Sequence, residues 1–197
     1  MFKGVTNFLT VDNFLPDPDD FRGSALAQPF VNVRFADEIY RRVQVRDYDE
    51  HADLLRTALK RPVHQTHTIN RLNFDGEMPN HAIHSDNDHG DFAAVLYLNK
   101  PAQCVGGTAF WRHKATGLTR FDPAEIKRAG KSPVRTLNVL SADWNDESKW
   151  EQTSLAEMKY NRLIVYSGRD FHSRWPFSAF GKTLHDGRFI WCSFFSC

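Results

Sequence analysis

The chain has 197 residues, 41% of them hydrophobic and 25% charged, with 25 basic against 24 acidic side chains and a formal net charge of +1. That length favours one domain with a sizeable buried core, and near-cancelling charge without a basic block gives no electrostatic reason to expect a nucleic acid or an anionic membrane as partner. Three cysteines, Cys104, Cys192 and Cys197, are too few and too irregularly spaced for a disulfide framework or a zinc ribbon, so they are expected to stay reduced, with Cys192 packed in a strand.

Residues 1–8 lack a long apolar run and a small-residue cleavage site, so neither a signal peptide nor a membrane span is expected and a cytoplasmic location is favoured. Residues 5–15 read as a short strand and turn, and Pro16-Asp17-Pro18-Asp19-Asp20 offers helix-starting chemistry for a helix over about 18–27. Residues 47–60 carry apolar side chains at helical spacing, an acidic start, a basic end and Pro62 just beyond, which predicts a second helix. From Val63 the pattern changes to β-formers, and strands are expected at about 63–74, 82–86, 92–98, 108–112, 134–140, 162–166, 172–175 and 188–195. Two helix-like pieces, near 123–129 and 147–158, fall within an excursion over 113–160 that also holds Trp144 and Trp150. Its length makes it the expected lid or substrate-contacting insertion. Helices in front and short strands behind predict a mainly β, α+β fold: a double-stranded β-helix, or jelly roll, with N-terminal helices packed on one sheet. The expectation is a single domain over 1–197, with helical support in 1–62 and the jelly-roll core in 63–197.

The chemistry gathers around Asn80-His81-Ala82-Ile83-His84-Ser85-Asp86-Asn87. His84 and Asp86 are two residues apart, so in an extended segment their side chains leave the same face. An imidazole nitrogen and a carboxylate oxygen are two of the three ligands of the two-His-one-carboxylate triad, which holds non-haem Fe(II) and leaves coordination positions open. His172, soon after the apolar run Leu163-Ile164-Val165-Tyr166, is placed to be the third. Among nine histidines a His-x-Asp alone is more often a loop or a hydrogen-bonded pair, so the order of the neighbouring motifs carries the weight.

His84-Ser85-Asp86-Asn87, the Leu96-Tyr97-Leu98-Asn99 strand, the Gly106-Gly107-Thr108 turn, the late His172 and a following arginine strand span residues 70–195 in that order. Together they resemble the iron(II)- and 2-oxoglutarate-dependent dioxygenases, in their prolyl-hydroxylase-like branch. The resemblance implies Fe(II) on His84, Asp86 and His172, with 2-oxoglutarate as cosubstrate on two further sites and dioxygen on the last. The far carboxylate of the cosubstrate calls for a guanidinium fork. Arg188, sixteen residues after His172, is the choice, and Arg174, two residues after His172, the rival. Family members often carry a hydroxyl residue two positions after this arginine, where the chain has Ile190, and a shorter His-to-Arg interval. Tyr97 reads equally as a cosubstrate contact or a core aromatic, and Asn73 as a hydrogen-bond donor in place of a family tyrosine. Because Asp86 is present, hydroxylation is implied rather than the halogenation of related enzymes that lack the carboxylate. The substrate would be a small molecule, an amino-acid side chain or a peptide, and Arg71, Arg112 and Arg169 near the mouth suit a polar or anionic group on it. His81, His89, His113 and His185 are expected at the surface or behind the ligands, and Asp88 and Asp91 in turns. The competing reading is a metal-containing, cupin-like binding protein without oxygenase activity.

Overall fold

The computed structural model describes residues 8–35, 38–79, 81–87 and 89–197. The chain runs through β1 (Leu9–Asp12), α1 (Pro18–Leu26), β2 (Val31–Phe35), β3 (Glu38–Arg46), α2 (Ala52–Leu59), β4 (His64–Asn73), β5 (Phe92–Tyr97) and β6 (Gly107–His113). It continues through α3 (Pro123–Arg128), α4 (Pro133–Asp143), β7 (Trp150–Glu157), β8 (Arg162–Ser167), β9 (His172–Trp175) and β10 (Arg188–Ser196). These strands form a double-stranded β-helix. A seven-stranded antiparallel sheet in the order β1-β8-β5-β10-β4-β3-β2 faces a three-stranded sheet in the order β7-β6-β9.

The central strands of the large sheet are apolar at both parities because both faces are covered. On one face Leu72, Leu96, Leu163 and Trp191 pack against Ala25 of α1 and Leu55 of α2. On the other, Val95, Tyr97, Ile164, Tyr166, Ile190 and Cys192 meet Phe110 and Ala156 of the small sheet. A period of two therefore sorts each strand: Arg188, Ile190 and Cys192 look into the chamber between the sheets, whereas Phe189 and Trp191 look toward the helices. A third cluster, with Ile83, Trp111, Ile126, Leu140, Trp150 and Phe171, joins α3 and α4 to the outer face of the small sheet.

The N-terminal helix forms where its cap is, with the Asp17 carboxylate accepting from the Asp20 amide at 3.0 Å and Pro18 in the first turn. The helix expected over 47–60 is shorter, beginning at Ala52. Glu50 is held elsewhere, accepting from Arg46 Nε at 3.0 Å and from Trp191 Nε1 at 2.8 Å, and His51 takes a left-handed backbone with φ 61°.

Other elements correct the sequence reading. Residues 134–140 are helical within α4: Ser132 accepts from the Arg135 amide at 3.4 Å, Pro133 opens the first turn, and Thr136 and Leu140 are buried one helical repeat apart. Residues 147–158 are not a helix. One 3-10 turn over Glu147–Lys149, capped by Asp146, leads into β7, an edge strand paired with β6. Residues 82–86 form no strand, only an isolated antiparallel bridge between His84 and His172. The β2–β3 hairpin extends the large sheet beyond β4, where no element was expected. Residues 5–7 of the expected first strand and Asp88 lie outside the described residues. Among the described residues no helix is long and apolar enough to cross a membrane, and all three cysteines are free thiols.

Candidate metal centre

The segment carrying His84 lies along β9 without joining its ladder. The His84 amide donates to the His172 carbonyl at 3.0 Å and the His172 amide returns a bond to the His84 carbonyl at 2.9 Å. Behind it, the Ala82 amide donates to Asn145 Oδ1 at 2.8 Å and the Ile83 amide to the Trp144 carbonyl at 3.1 Å. The excursion, expected as a lid or substrate-contacting insertion, thus supplies both acceptors behind the segment that carries His84. Ile83 is fully buried in the outer cluster, so its neighbours at even positions turn inward. Close approach also fixes two glycines. A Cβ at Gly106, where φ is 65°, would stand 2.0 Å from the Trp175 carbonyl oxygen, and one at Gly168 would stand 2.7 Å from the Gly90 carbonyl oxygen. Gly168 in turn accepts from the Asp86 amide at 2.6 Å.

Together these constraints bring His84, Asp86 and His172 into one group, with one donor atom from each lying within 4.8 Å of the others. His84 Nε2 is 3.6 Å from Asp86 Oδ1, and His172 Nε2 is 3.1 Å from Asp86 Oδ2. His172 Nδ1 lies 2.9 Å from the Asp170 carbonyl, an acceptor only, which assigns a proton to Nδ1 and turns Nε2 toward the group. Burial holds the His84 imidazolium below its ordinary pKa, reinforced by the neighbouring His172. Burial alone would raise the Asp86 carboxyl, but the His172 charge and hydrogen bond prevail and hold it well below the usual carboxylate range. For His172 burial is again opposed, and Asp86 raises its pKa. The His84 side chain is 37% exposed against 5% for His172, so the group opens to solvent on the His84 side. Two imidazoles and one carboxylate, with no fourth described side chain in the group, suit a divalent first-row metal that keeps exchangeable positions.

Arg188 is 3% exposed and stands directly across the ladder from Asn73, itself buried. Its Nε has no hydrogen-bond partner. Burial lowers the Arg188 pKa against the opposing pull of Tyr97 and Cys192. Burial also pushes both the Tyr97 phenol and the Cys192 thiol up to about 12, so neither supplies a countercharge. The Tyr97 hydroxyl lies 2.8 Å from Thr108 Oγ1 and donates to the Ala156 carbonyl at 3.2 Å. Arg174 donates from Nε to the Phe177 carbonyl at 2.7 Å but leaves a buried Nη2 without a partner, and Arg71 leaves a buried Nε unpartnered while its guanidinium lies 5.1 Å from the Tyr40 ring centroid. Arg112 and Arg169 are engaged elsewhere, at 3.5 Å from Glu151 and 2.6 Å from Asp122. His113 is fully buried between Thr116 Oγ1 at 3.0 Å and Asp143 Oδ2 at 2.9 Å. The sequence reading did not single out the Asp170 carbonyl, nor Tyr166, whose ring centroid lies 4.7 Å from that of His172.

The antiparallel jelly roll that carries this His/Asp/His group is a fold shared with solved non-haem, alpha ketoglutarate dependent enzymes. SnoN, the non-heme alpha ketoglutarate dependent epimerase of nogalamycin biosynthesis, is 13% identical over 95% of this chain and 76% of its own, with a TM-score of 0.55. A Pseudomonas putida prolyl-4-hydroxylase is 15% identical over 96% and 92%, at a TM-score of 0.54. EctD from S. alaskensis, with bound Fe, is 14% identical over 95% and 72%, at a TM-score of 0.51. Likeness at this identity establishes the fold. No curated protein matches the sequence. Residues 66–194 match the model described as "Family of unknown function (DUF6445)", and the chain belongs to that family.

Proposed function

We propose that the protein is an Fe(II)- and 2-oxoglutarate-dependent oxygenase of the prolyl-hydroxylase-like kind that hydroxylates a C–H bond of a small molecule or an amino-acid side chain. The observation that carries this reading is the convergence of one donor atom each from His84, Asp86 and His172 within 4.8 Å, in a chamber that also holds the buried, unpartnered guanidinium nitrogen of Arg188. His84, Asp86 and His172 would hold the metal. When bound, Fe(II) supplies the redox chemistry that couples decarboxylation of 2-oxoglutarate to succinate with oxidation of the substrate by dioxygen.

The chain's own residues do the rest. Asp86 stays ionised and contributes the negative charge of the ligand set, while His172 keeps its proton on Nδ1 through the Asp170 carbonyl. Arg188 receives the distal carboxylate of the cosubstrate through charge-assisted hydrogen bonds, worth most where water is excluded. Asn73 and Tyr97 border that end of the chamber, and the neutral Cys192 and Tyr97 leave Arg188 its full attraction for an anion. Arg188 is preferred to Arg174 because the latter already spends its Nε on the Phe177 carbonyl and follows a metal ligand by two residues.

The test is an anaerobic titration of metal-free protein with Fe(II) and then 2-oxoglutarate, followed by the visible charge-transfer band of a chelated keto acid. His172→Ala is expected to abolish the band. Arg188→Ala should raise the half-saturating 2-oxoglutarate concentration about a hundredfold, the equivalent of roughly 3 kcal/mol for a lost charge-assisted pair. Metal binding with no band would instead identify a cupin-like binding protein, and no stoichiometric metal would sink both readings.

A further inference from the structure

We propose that the substrate is itself an oxyanion, bearing a carboxylate or a phosphate, and that Arg71 and Arg174 receive that group beside the metal. This rests on the oxygenase reading above and extends it to the class of substrate.

Three guanidinium-bearing residues border one chamber. Arg188 comes from β10. Arg71 comes from β4 as the partner of Ile190, and the alternation that sends Leu72 toward the helices sends Arg71 and Asn73 inward. Arg174 comes from β9 opposite Thr108, whose hydroxyl contacts Tyr97 between the sheets. Each side chain keeps a buried N–H without a partner: Nε of Arg71, Nη2 of Arg174 and Nε of Arg188. Leaving such groups unmade is costly, more so when they are charged.

Among the described residues no carboxylate forms an ion pair with any of the three. The acid of the metal group is Asp86, assigned above to the metal. A divalent metal is balanced by Asp86 and the chelating carboxylate of 2-oxoglutarate, and Arg188 by the distal one. Arg71 and Arg174 remain as two cations without an anion. A carboxylate or a phosphate meets that need, because both offer the oxygen pairs that a guanidinium fork matches.

The neighbourhood of Arg71 also suggests what the anion is attached to. Val43 and Val45 of β3 stand opposite Arg71 and Ile69, so they share the chamber-side face, and Val45 is 71% exposed at its edge. With the Tyr40 ring against Arg71, the lip is apolar around a cation, which favours an acid with an apolar body.

The experiment uses the full chain loaded anaerobically with Fe(II) and 2-oxoglutarate, titrated calorimetrically with sodium benzoate, benzamide and inorganic phosphate while the charge-transfer band is recorded. Benzoate or phosphate is expected to bind, with benzamide at least about tenfold weaker, and the better of the two anions distinguishes carboxylate from phosphate. Arg71→Gln and Arg174→Gln should each weaken that binding by about tenfold or more, with Arg71→Lys intermediate, while half-saturating 2-oxoglutarate changes by less than about threefold. A protein that shows the band but binds neither anion, or binds benzamide as well as benzoate, overturns the proposal. So does an Arg71→Gln variant that loses 2-oxoglutarate as Arg188→Ala does, since Arg71 would then belong to the cosubstrate. Absence of the band in the unaltered protein would remove the oxygenase reading itself, and this proposal with it.

Discussion

Tyr97 shows how burial, rather than residue type, assigns a role inside this chamber. Its hydroxyl is occupied within the protein, by Thr108 Oγ1 at 2.8 Å and the Ala156 carbonyl at 3.2 Å, and so ties the large sheet to the small one. Tyr97→Phe should therefore cost about 1–2 kcal/mol of stability and lower the melting temperature by several degrees. We expect half-saturating 2-oxoglutarate to move far less than in Arg188→Ala; a comparable shift would mean that the hydroxyl reaches the cosubstrate. At this scale the grouping of His84, Asp86 and His172 was legible because these residue types share a ligand chemistry and a two-residue spacing places two of them on one face. The Asp170 carbonyl was not, since any residue has one. Arg71 was visible only as a basic residue near the mouth, because choosing its face requires knowing that Leu72 meets the helices.

Between elements, the decisive part is the excursion from β6 to β7. Its helix α4 ends at Asp143, whose Oδ2 lies 2.9 Å from the buried His113 Nε2, and the next two residues, Trp144 and Asn145, hold the amides of Ile83 and Ala82. Asp143→Ala leaves a buried ring nitrogen without its partner, at a cost of about 1–3 kcal/mol. Loosening the segment before His84 should also weaken metal binding about tenfold, as loss of a supporting contact does at other metal sites. Metal titration checks the second effect, and hydrogen exchange at the Ala82 and Ile83 amides checks the cause. Lower stability with unchanged metal affinity would reduce the excursion to a cover. The same stretch explains where sequence periodicity failed. Val134, Leu137 and Val139 resemble a β run, yet they are exposed, and it is Thr136 and Leu140 that pack. The β7 sequence WEQTSLAE has little strand character of its own and is extended because β6 pairs with it. Residues 82–86 keep the alternation of a strand without its ladder, which is why the site could be read although the element was not.

Across the whole molecule, the candidate ligands join two parts of the chain that hydrogen bonds join only sparsely. His84 and Asp86 sit on a segment anchored to the excursion, His172 sits on β9, and the two meet through the reciprocal backbone bonds between His84 and His172. A metal bound to all three adds a link that the unfolded chain cannot reproduce with the same geometry. At a free concentration about a hundred times its dissociation constant it stabilises the native state by about 2.7 kcal/mol, which for a chain of this size corresponds to a rise of roughly 5–10 °C in melting temperature. Anaerobic Fe(II), or Zn(II) as a redox-inert substitute, should produce that rise, and a chelator should reverse it. His172→Ala should lose most of it, because the remaining two ligands come from one segment and no longer span the two parts. If the variant keeps the full increment, the stabilising metal lies away from His84, Asp86 and His172.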